Sequence, residues 1–218
     1  MAQWAIPEHM IKNAGATVYN FGYDQQGIIE YKFNSLGHRS DEITNQPTLF
    51  TVGNSITFGI GINVKDTYGY QLAQHLRMPL ANIANGCHLH ENHEQIPNID
   101  QIANRNINDI VIVQINNLSR RTVNDHTEIF YDPDWCVGRL EHYFDYVESA
   151  LARTEHYYVY WDEHPFDIPE KIKTRLSIHN KFHLDHSLNT HSSFGIKSHR
   201  AIAKVLAKII GSQRAQLV

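Results

Sequence analysis

The residues Asp109-Ile110-Val111-Ile112-Val113-Gln114-Ile115 constrain this chain most. Four β-branched apolar residues follow one another without a polar break. A strand with one wet face alternates apolar and polar residues. A strand covered on both faces does not need to, and such strands belong to parallel sheets held between helices. Shorter runs of the same kind recur from Thr48 to Val52, Leu80 to Ala84 and Tyr157 to Trp161, with a further short strand expected near Lys181-Phe182-His183. Helical patterns lie between them. Thr67 to Leu76 puts Tyr70, Leu72, Ala73 and Leu76 on one face. Glu94 to Ile107 reads as a helix entered at Pro97. Trp135 to Thr154 carries Leu140, Tyr143, Val147 and Leu151 on one stripe. Pro169 to Ile178 is expected to be helical, and Lys197 to Ile210 turns Ile202, Val205, Leu206 and Ile209 inward. Strands alternating with helices predict an α/β fold: a single three-layer doubly wound domain with a five-stranded parallel sheet.

No repeat, linker or composition break divides the 218 residues, so one domain over 1–218 is expected, with 1–45 as an irregular or partly β lead-in. Val18 to Phe21 and Ile28 to Phe33 supply its β-type residues, and Asn34 to Arg39 reads as a turn. Residues 119–134 read as a polar loop. Apolar residues make up 42% and charged residues 19%, which suits a folded domain. A formal net charge of -4 gives no basic footprint, and no nucleic-acid partner is expected. No apolar run is long enough to span a membrane, and the first residues lack the basic start and apolar stretch of a signal peptide. The two cysteines, Cys87 and Cys136, are expected to be free thiols.

Chemistry concentrates at Leu49-Phe50-Thr51-Val52-Gly53-Asn54-Ser55-Ile56-Thr57-Phe58-Gly59. An apolar run stops at a glycine, a serine follows, and a helix can begin there. A serine so placed stands at the carboxyl end of a strand, where open α/β sheets bind their ligands. The helix start supplies N–H groups that can hold an oxyanion. Taken alone, the same residues also describe a turn with a capping serine.

Gly53-Asn54-Ser55-Ile56-Thr57-Phe58-Gly59 resembles the first block of the SGNH/GDSL hydrolases, G-D-S-x-T-x-G, with Asn54 at the position of the aspartate. Asn34-Ser35-Leu36-Gly37-His38-Arg39 resembles the N-x-x-G-x-R stretch that precedes it. Asn82-Ile83-Ala84-Asn85-Gly86-Cys87 resembles the second block, with Gly86 at its glycine. Gln114-Ile115-Asn116-Asn117 resembles the third, G-x-N-D, with its glycine and aspartate replaced. The segment Asp185 to His199 resembles the last block, with a departure in spacing, since Leu188 stands three residues before His191. The resemblance runs from about Asn34 to about Leu206. It implies a flavodoxin-like strand order and a serine esterase or acylhydrolase. Ser55 would be the nucleophile, His191 the base and Asp185 the orienting acid. The oxyanion would be held by Ser55, Gly86 and Asn116. His186 and His164 remain alternative bases. The implied substrate is a small-molecule or carbohydrate ester, for example an O-acetylated sugar, with no cofactor. The first block and the Ser198-His199 pair resemble divergent bacteriophage members, which implies a cytoplasmic or virion-associated setting.

The replaced residues leave a second class open: a weak or inactive binding module on the same fold, for carbohydrate or within a virion. Cys87-His88-Leu89-His90-Glu91-Asn92-His93 is rich in metal-ligand types, but with fifteen histidines in the chain a chance cluster is the preferred account and no metal is expected. Arg120 and Arg121 read as solvated loop charges. A phosphate loop at Gly53–Gly61 is disfavoured, because no Gly-Lys-Ser/Thr ending follows.

Overall fold

A computed structural model describes residues 14–21, 27–84, 92–103, 105–116, 120–123, 126–129, 132–161, 170–180 and 195–215. The main sheet is parallel throughout. Its body is four strands: β3 (Leu49–Val52), β4 (Leu80–Asn82), β5 (Ile110–Ile115) and β8 (Glu155–Trp161). The three-residue β9 (Ile178–Asn180) adds to the edge of β8, and the order across the sheet is β4-β3-β5-β8-β9. The α/β architecture read from the strand–helix alternation is therefore present. In sequence order the main strands run 2-1-3-4-5 across the sheet, the flavodoxin-like arrangement.

Both faces of the sheet are covered, as the unbroken apolar run of β5 requires. Along β5, Ile110 and Ile112 join one core with Leu49, Tyr157 and Val159. Helices α2 (Tyr68–Leu76) and α6 (Ile196–Ala215) close that face through Leu72, Ile202, Leu206 and Ile210. Val111, Val113 and Ile115 point the other way, into a second core with Phe50, Val52, Tyr158 and Tyr160. There α3 (Ile96–Ile102) and α4 (Pro133–Ala150) pack through Ile99, Ile102, Leu140, Phe144 and Val147. Successive residues of a strand face opposite sides, so a continuous apolar strand serves two cores at once. Each enclosed Val, Leu or Ile side chain contributes about 1.5–3 kcal/mol by leaving water.

The lead-in is an antiparallel hairpin of β1 (Thr17–Phe21) and β2 (Ile28–Lys32). Ile29, Tyr31 and Phe33 form a third, smaller core with Phe58, Ile60 and Ala84. The hairpin thereby rests on the segment that follows β3.

Four expectations need correction. Residues 119–134 are not simply a loop: β6 (Arg120–Val123) and β7 (His126–Ile129) pair antiparallel. Backbone pairing there does not depend on an apolar pattern, so the polar sequence concealed it. The long helix starts at Pro133, two residues early, because Asp132 caps it by accepting from the N–H groups of Asp134 and Trp135, each at 3.1 Å. The helix expected over 94–107 is divided. A 3₁₀ turn at Asn92–Gln95 leads into α3, which ends at Ile102. The helix expected to reach Ile178 is only α5 (Glu170–Lys173). By Ser177 the chain has joined the sheet: Ser177 N–H donates to Tyr158 O at 2.9 Å, and Tyr158 N–H donates to Ser177 Oγ at 3.1 Å. The last strand accordingly begins at Ile178. Lys181-Phe182-His183 lie outside the described residues.

Candidate active site

Because the main strands are parallel, their carboxyl ends share one edge. The turn after β3 carries Ser55 there, and the residue after β5 is Asn116. The two strands are neighbours, with Val52 level with Val113. Both side chains are buried, Ser55 at 8% exposure and Asn116 at 2%.

The Ser55 turn is built from the residues around it. Asn54 caps the one-turn helix α1 (Ser55–Phe58), its Oδ1 accepting from Ile56 N–H at 2.9 Å. An asparagine caps a helix as well as an aspartate does, so the departure from G-D-S costs this turn nothing. Gly53 is required by close approach. A Cβ there would lie 2.6 Å from Gln114 Oε1 and 2.8 Å from Gln114 Cβ, with Thr57 Oγ1 nearer still. Gly59 closes α1 in the left-handed region at φ 79° and donates back to Ser55 O and Ile56 O.

A helix leaves its last carbonyls without partners of its own. Here two buried side chains supply them. Asn82 Nδ2 donates to Thr57 O at 3.0 Å and to Phe58 O at 3.4 Å. Arg39 Nη1 donates to Phe58 O at 2.9 Å and Gly59 O at 2.6 Å, and its Nη2 to Ile62 O at 2.8 Å. The guanidinium lies 4.2 Å from the Tyr31 ring centroid and 5.4 Å from that of Phe58. Burial pulls Arg39 down to about 10, partly opposed by Tyr31, so it stays cationic at neutral pH. The Asn34–Arg39 stretch delivers it. Asn34 Oδ1 accepts from Leu36 and His38 N–H at 3.0 and 2.9 Å, and Gly37 turns the chain at φ 82°.

Behind the turn lies a buried polar line. Asn54 N–H donates to Gln114 Oε1 at 3.3 Å, and Thr57 Oγ1 donates to the same oxygen. Tyr68 OH lies 2.9 Å from Thr57 Oγ1. Tyr68 N–H, at the start of α2, donates to His199 Nδ1 at 3.0 Å, and the two rings stack with centroids 5.8 Å apart. Burial raises the Tyr68 hydroxyl above its ordinary range. Burial, helped by the charge of Arg39, pushes His199 down to about 3. His199 is thus a neutral acceptor that caps α2, with its Nδ1 committed.

That commitment sets a pH dependence. Between pH 6.5 and about 3 the unfolded chain protonates this histidine and the folded chain does not. The stabilising contribution is complete above pH 6.5 and declines as the pH falls. The slope is at most about 1.4 kcal/mol per pH unit. Urea unfolding of wild type and His199→Asn from pH 7 to pH 4 checks this. The stability advantage of wild type is expected to narrow steadily, and a constant gap would contradict the assignment.

Of the site residues expected from sequence, Ser55 and Asn116 come together at one edge. Gly86, Asp185, His186, His191 and His164 lie outside the described residues. So do Cys87 to Glu91. His93 of the same histidine-rich stretch lies with its Nδ1 3.4 Å from Arg139 Nη2. Among the described residues, no group of three His, Cys, Asp or Glu side chains is arranged to hold a metal. No described helix is long and apolar enough to cross a membrane. Arg39, Asn82, Gln114, Tyr68 and His199 all stand within or beside the sequence motifs, but nothing in those motifs marks them as builders of the turn.

No protein-family model matches the sequence, and no curated protein matches it. Solved structures do. An acetyl xylan esterase, Est2A, from the rumen bacterium Butyrivibrio proteoclasticus aligns over 80% of this chain with a TM-score of 0.54 at 13% identity. A putative lipolytic protein of the G-D-S-L family from Desulfitobacterium hafniense aligns over 75%, with a TM-score of 0.51 at 11% identity. A carbohydrate esterase family 2 enzyme with a carbohydrate binding domain, from Corynascus thermopiles (Myceliophthora fergusii), aligns over 78%, with a TM-score of 0.50 at 13% identity. The alignment covers 99% of the lipolytic protein, but only 66% of Est2A and 67% of the Corynascus enzyme. Together with the Ser55 turn at the carboxyl edge of a 2-1-3-4-5 parallel sheet, these likenesses identify the fold of this chain as that of the SGNH/GDSL hydrolases.

Proposed function

We propose that this chain is a serine ester hydrolase acting on small acyl esters, with O-acetylated carbohydrate as the substrate class. The observation that carries the reading is the Ser55 turn. Its serine stands at the carboxyl edge of the sheet, beside the strand that leads into Asn116, and buried hydrogen bonds fix the residues on both sides of it. The names of the structural neighbours, esterases of acetyl xylan and other carbohydrate esters among them, favour this substrate class.

In this mechanism Ser55 Oγ attacks the acyl carbonyl carbon. A serine hydroxyl is a weak nucleophile and must lose its proton to a base as it attacks. His191 takes that proton and returns it to the oxygen of the departing alcohol. Asp185 orients the imidazole and stabilises its cationic form. The negative oxygen of the tetrahedral intermediate is held by the N–H groups of Ser55 and Gly86 and by the Asn116 amide. Each such donor is worth about 3 kcal/mol in the transition state. Water, deprotonated by the same histidine, then attacks the acyl-enzyme carbonyl. The proton goes to Ser55 as the carboxylic acid leaves.

A fluorophosphonate probe tests the nucleophile directly. One equivalent is expected to attach, on the peptide that contains Ser55, as read by mass spectrometry. Attachment at another serine, or none under conditions that label a control esterase, would favour the binding-module reading instead.

A further inference from the structure

The third block departs from its family pattern at Gln114, where a glycine is usual, and the structure gives that glutamine an unexpected place. We propose that Gln114 and Thr57 act as a positioning pair that fixes Ser55 relative to Asn116. The inference rests on the nucleophile assignment above and adds to it a reason for the departure.

The argument is one of hydrogen-bond capacity. A carboxamide oxygen accepts two bonds and donates none. Gln114 Oε1 receives Asn54 N–H and the Thr57 hydroxyl, and is thereby filled. Thr57 has a single hydroxyl proton, committed to Gln114, so the proton between Thr57 Oγ1 and Tyr68 OH is the tyrosine's. The direction of every bond is determined: Tyr68 to Thr57, Thr57 to Gln114, and Asn54 to Gln114. The residue before Ser55 and the second residue after it are tied to one atom. That atom belongs to β5, two residues before Asn116. The serine turn and the proposed oxyanion donor are thus referred to the same strand by a bonded path, and Gly53 leaves the space in which the pair meets.

All of these groups are buried, among them Gln114 and Thr57 at 1% exposure each, so water offers poor substitutes. Neither residue touches the reacting atoms in this scheme. Loss of the pair loosens geometry rather than removing a reacting group, so the effect falls on kcat more than on KM.

The test compares wild type with Thr57→Val, Gln114→Met and Thr57→Ser. Thr57→Val keeps the shape and removes the hydroxyl. Gln114→Met keeps the length and removes the acceptor. Thr57→Ser keeps the hydroxyl alone. The readouts are kcat and KM on p-nitrophenyl acetate, the rate of fluorophosphonate labelling, and the melting temperature. Thr57→Val and Gln114→Met are expected to lose about 10- to 100-fold in kcat and in labelling rate, with KM within about threefold of wild type. Thr57→Ser is expected to stay within about threefold of wild-type kcat, which a merely structural role for the methyl group would not produce. Wild-type kcat in a folded Thr57→Val, or a Thr57→Ser as impaired as Thr57→Val, overturns the positioning role. If either larger change prevents folding, the Thr57→Ser result still decides between hydroxyl and methyl. Wild-type protein that neither turns over nor labels overturns the nucleophile assignment itself, and the positioning role falls with it.

Discussion

Ser55→Ala is expected to lower turnover of p-nitrophenyl acetate by at least about 1,000-fold, to the background of the assay. The loss follows from removing the only atom that forms the acyl bond in the proposed reaction. Remaining donors can still polarise a carbonyl, but they have no acyl acceptor to serve. The backbone of the turn should persist through the change. Ser55 is the first residue of α1, and alanine is favourable in a helix. The cap is made by Asn54 and the closing bonds use the Ser55 carbonyl, none of which involves the side chain. Stability is expected to change by no more than about 2 kcal/mol, the cost of one buried hydroxyl. Stopped assays of the purified variant with its melting temperature measured in parallel provide the check. Retained turnover in a well-folded Ser55→Ala protein would end the serine mechanism.

Arg39→Ala is expected to cause the largest loss of stability among changes away from Ser55. The guanidinium satisfies three carbonyls that no solvent reaches, those of Phe58, Gly59 and Ile62. Phe58 O keeps a weaker partner in Asn82 Nδ2 and Gly59 O keeps one in Ile62 N–H, each at 3.4 Å, whereas Ile62 O loses its Arg39 donor. Each buried group left without its bond costs about 1–3 kcal/mol, and the stacking on Tyr31 and Phe58 is lost as well. Relief of an uncompensated buried cation offsets part of this. A net loss of about 3 kcal/mol is expected, roughly 10 °C in melting temperature for a domain of this size. Arg39→Lys keeps the charge but not the planar fork and should fall between the two. Thermal and urea unfolding of the three proteins measure the series. An Arg39→Ala protein within about 1 °C of wild type would show that the carbonyls find other donors.

What the sequence made legible follows the range of the interactions. The parallel sheet could be read from Ile110 to Val113, because two-sided burial leaves its mark within one strand. The place of Ser55 at the end of β3 could be read because Gly53, Asn54 and Ser55 are contiguous, and that of Asn116 because it directly follows β5. Arg39 stood inside a recognisable stretch, yet its partners are main-chain carbonyls some twenty residues on, and carbonyls have no signature in a sequence. Gln114 stands where a glycine is usual, and its hydrogen bonds run to Asn54 and Thr57, about sixty residues away. The β6–β7 hairpin was hidden because backbone pairing in polar residues produces no apolar period. The start of β9 was hidden because Ser177 joins the sheet through bonds to Tyr158 that no local pattern announces.

The capping of α2 by His199 carries a consequence for the order in which the molecule becomes competent. His199 belongs to α6, which comes after every other described element, whereas Tyr68 opens α2 in the first third of the chain. During synthesis the early strands and the serine turn can be present while the acceptor for Tyr68 N–H is still unmade. Tyr68 N–H then lacks the ring nitrogen that accepts it in the finished fold. A nascent chain arrested before α6 therefore has its serine turn but not the helix that covers α2 and accepts from its first N–H. Arrival of the final helix closes that face of the core and supplies the acceptor for Tyr68 N–H in one step.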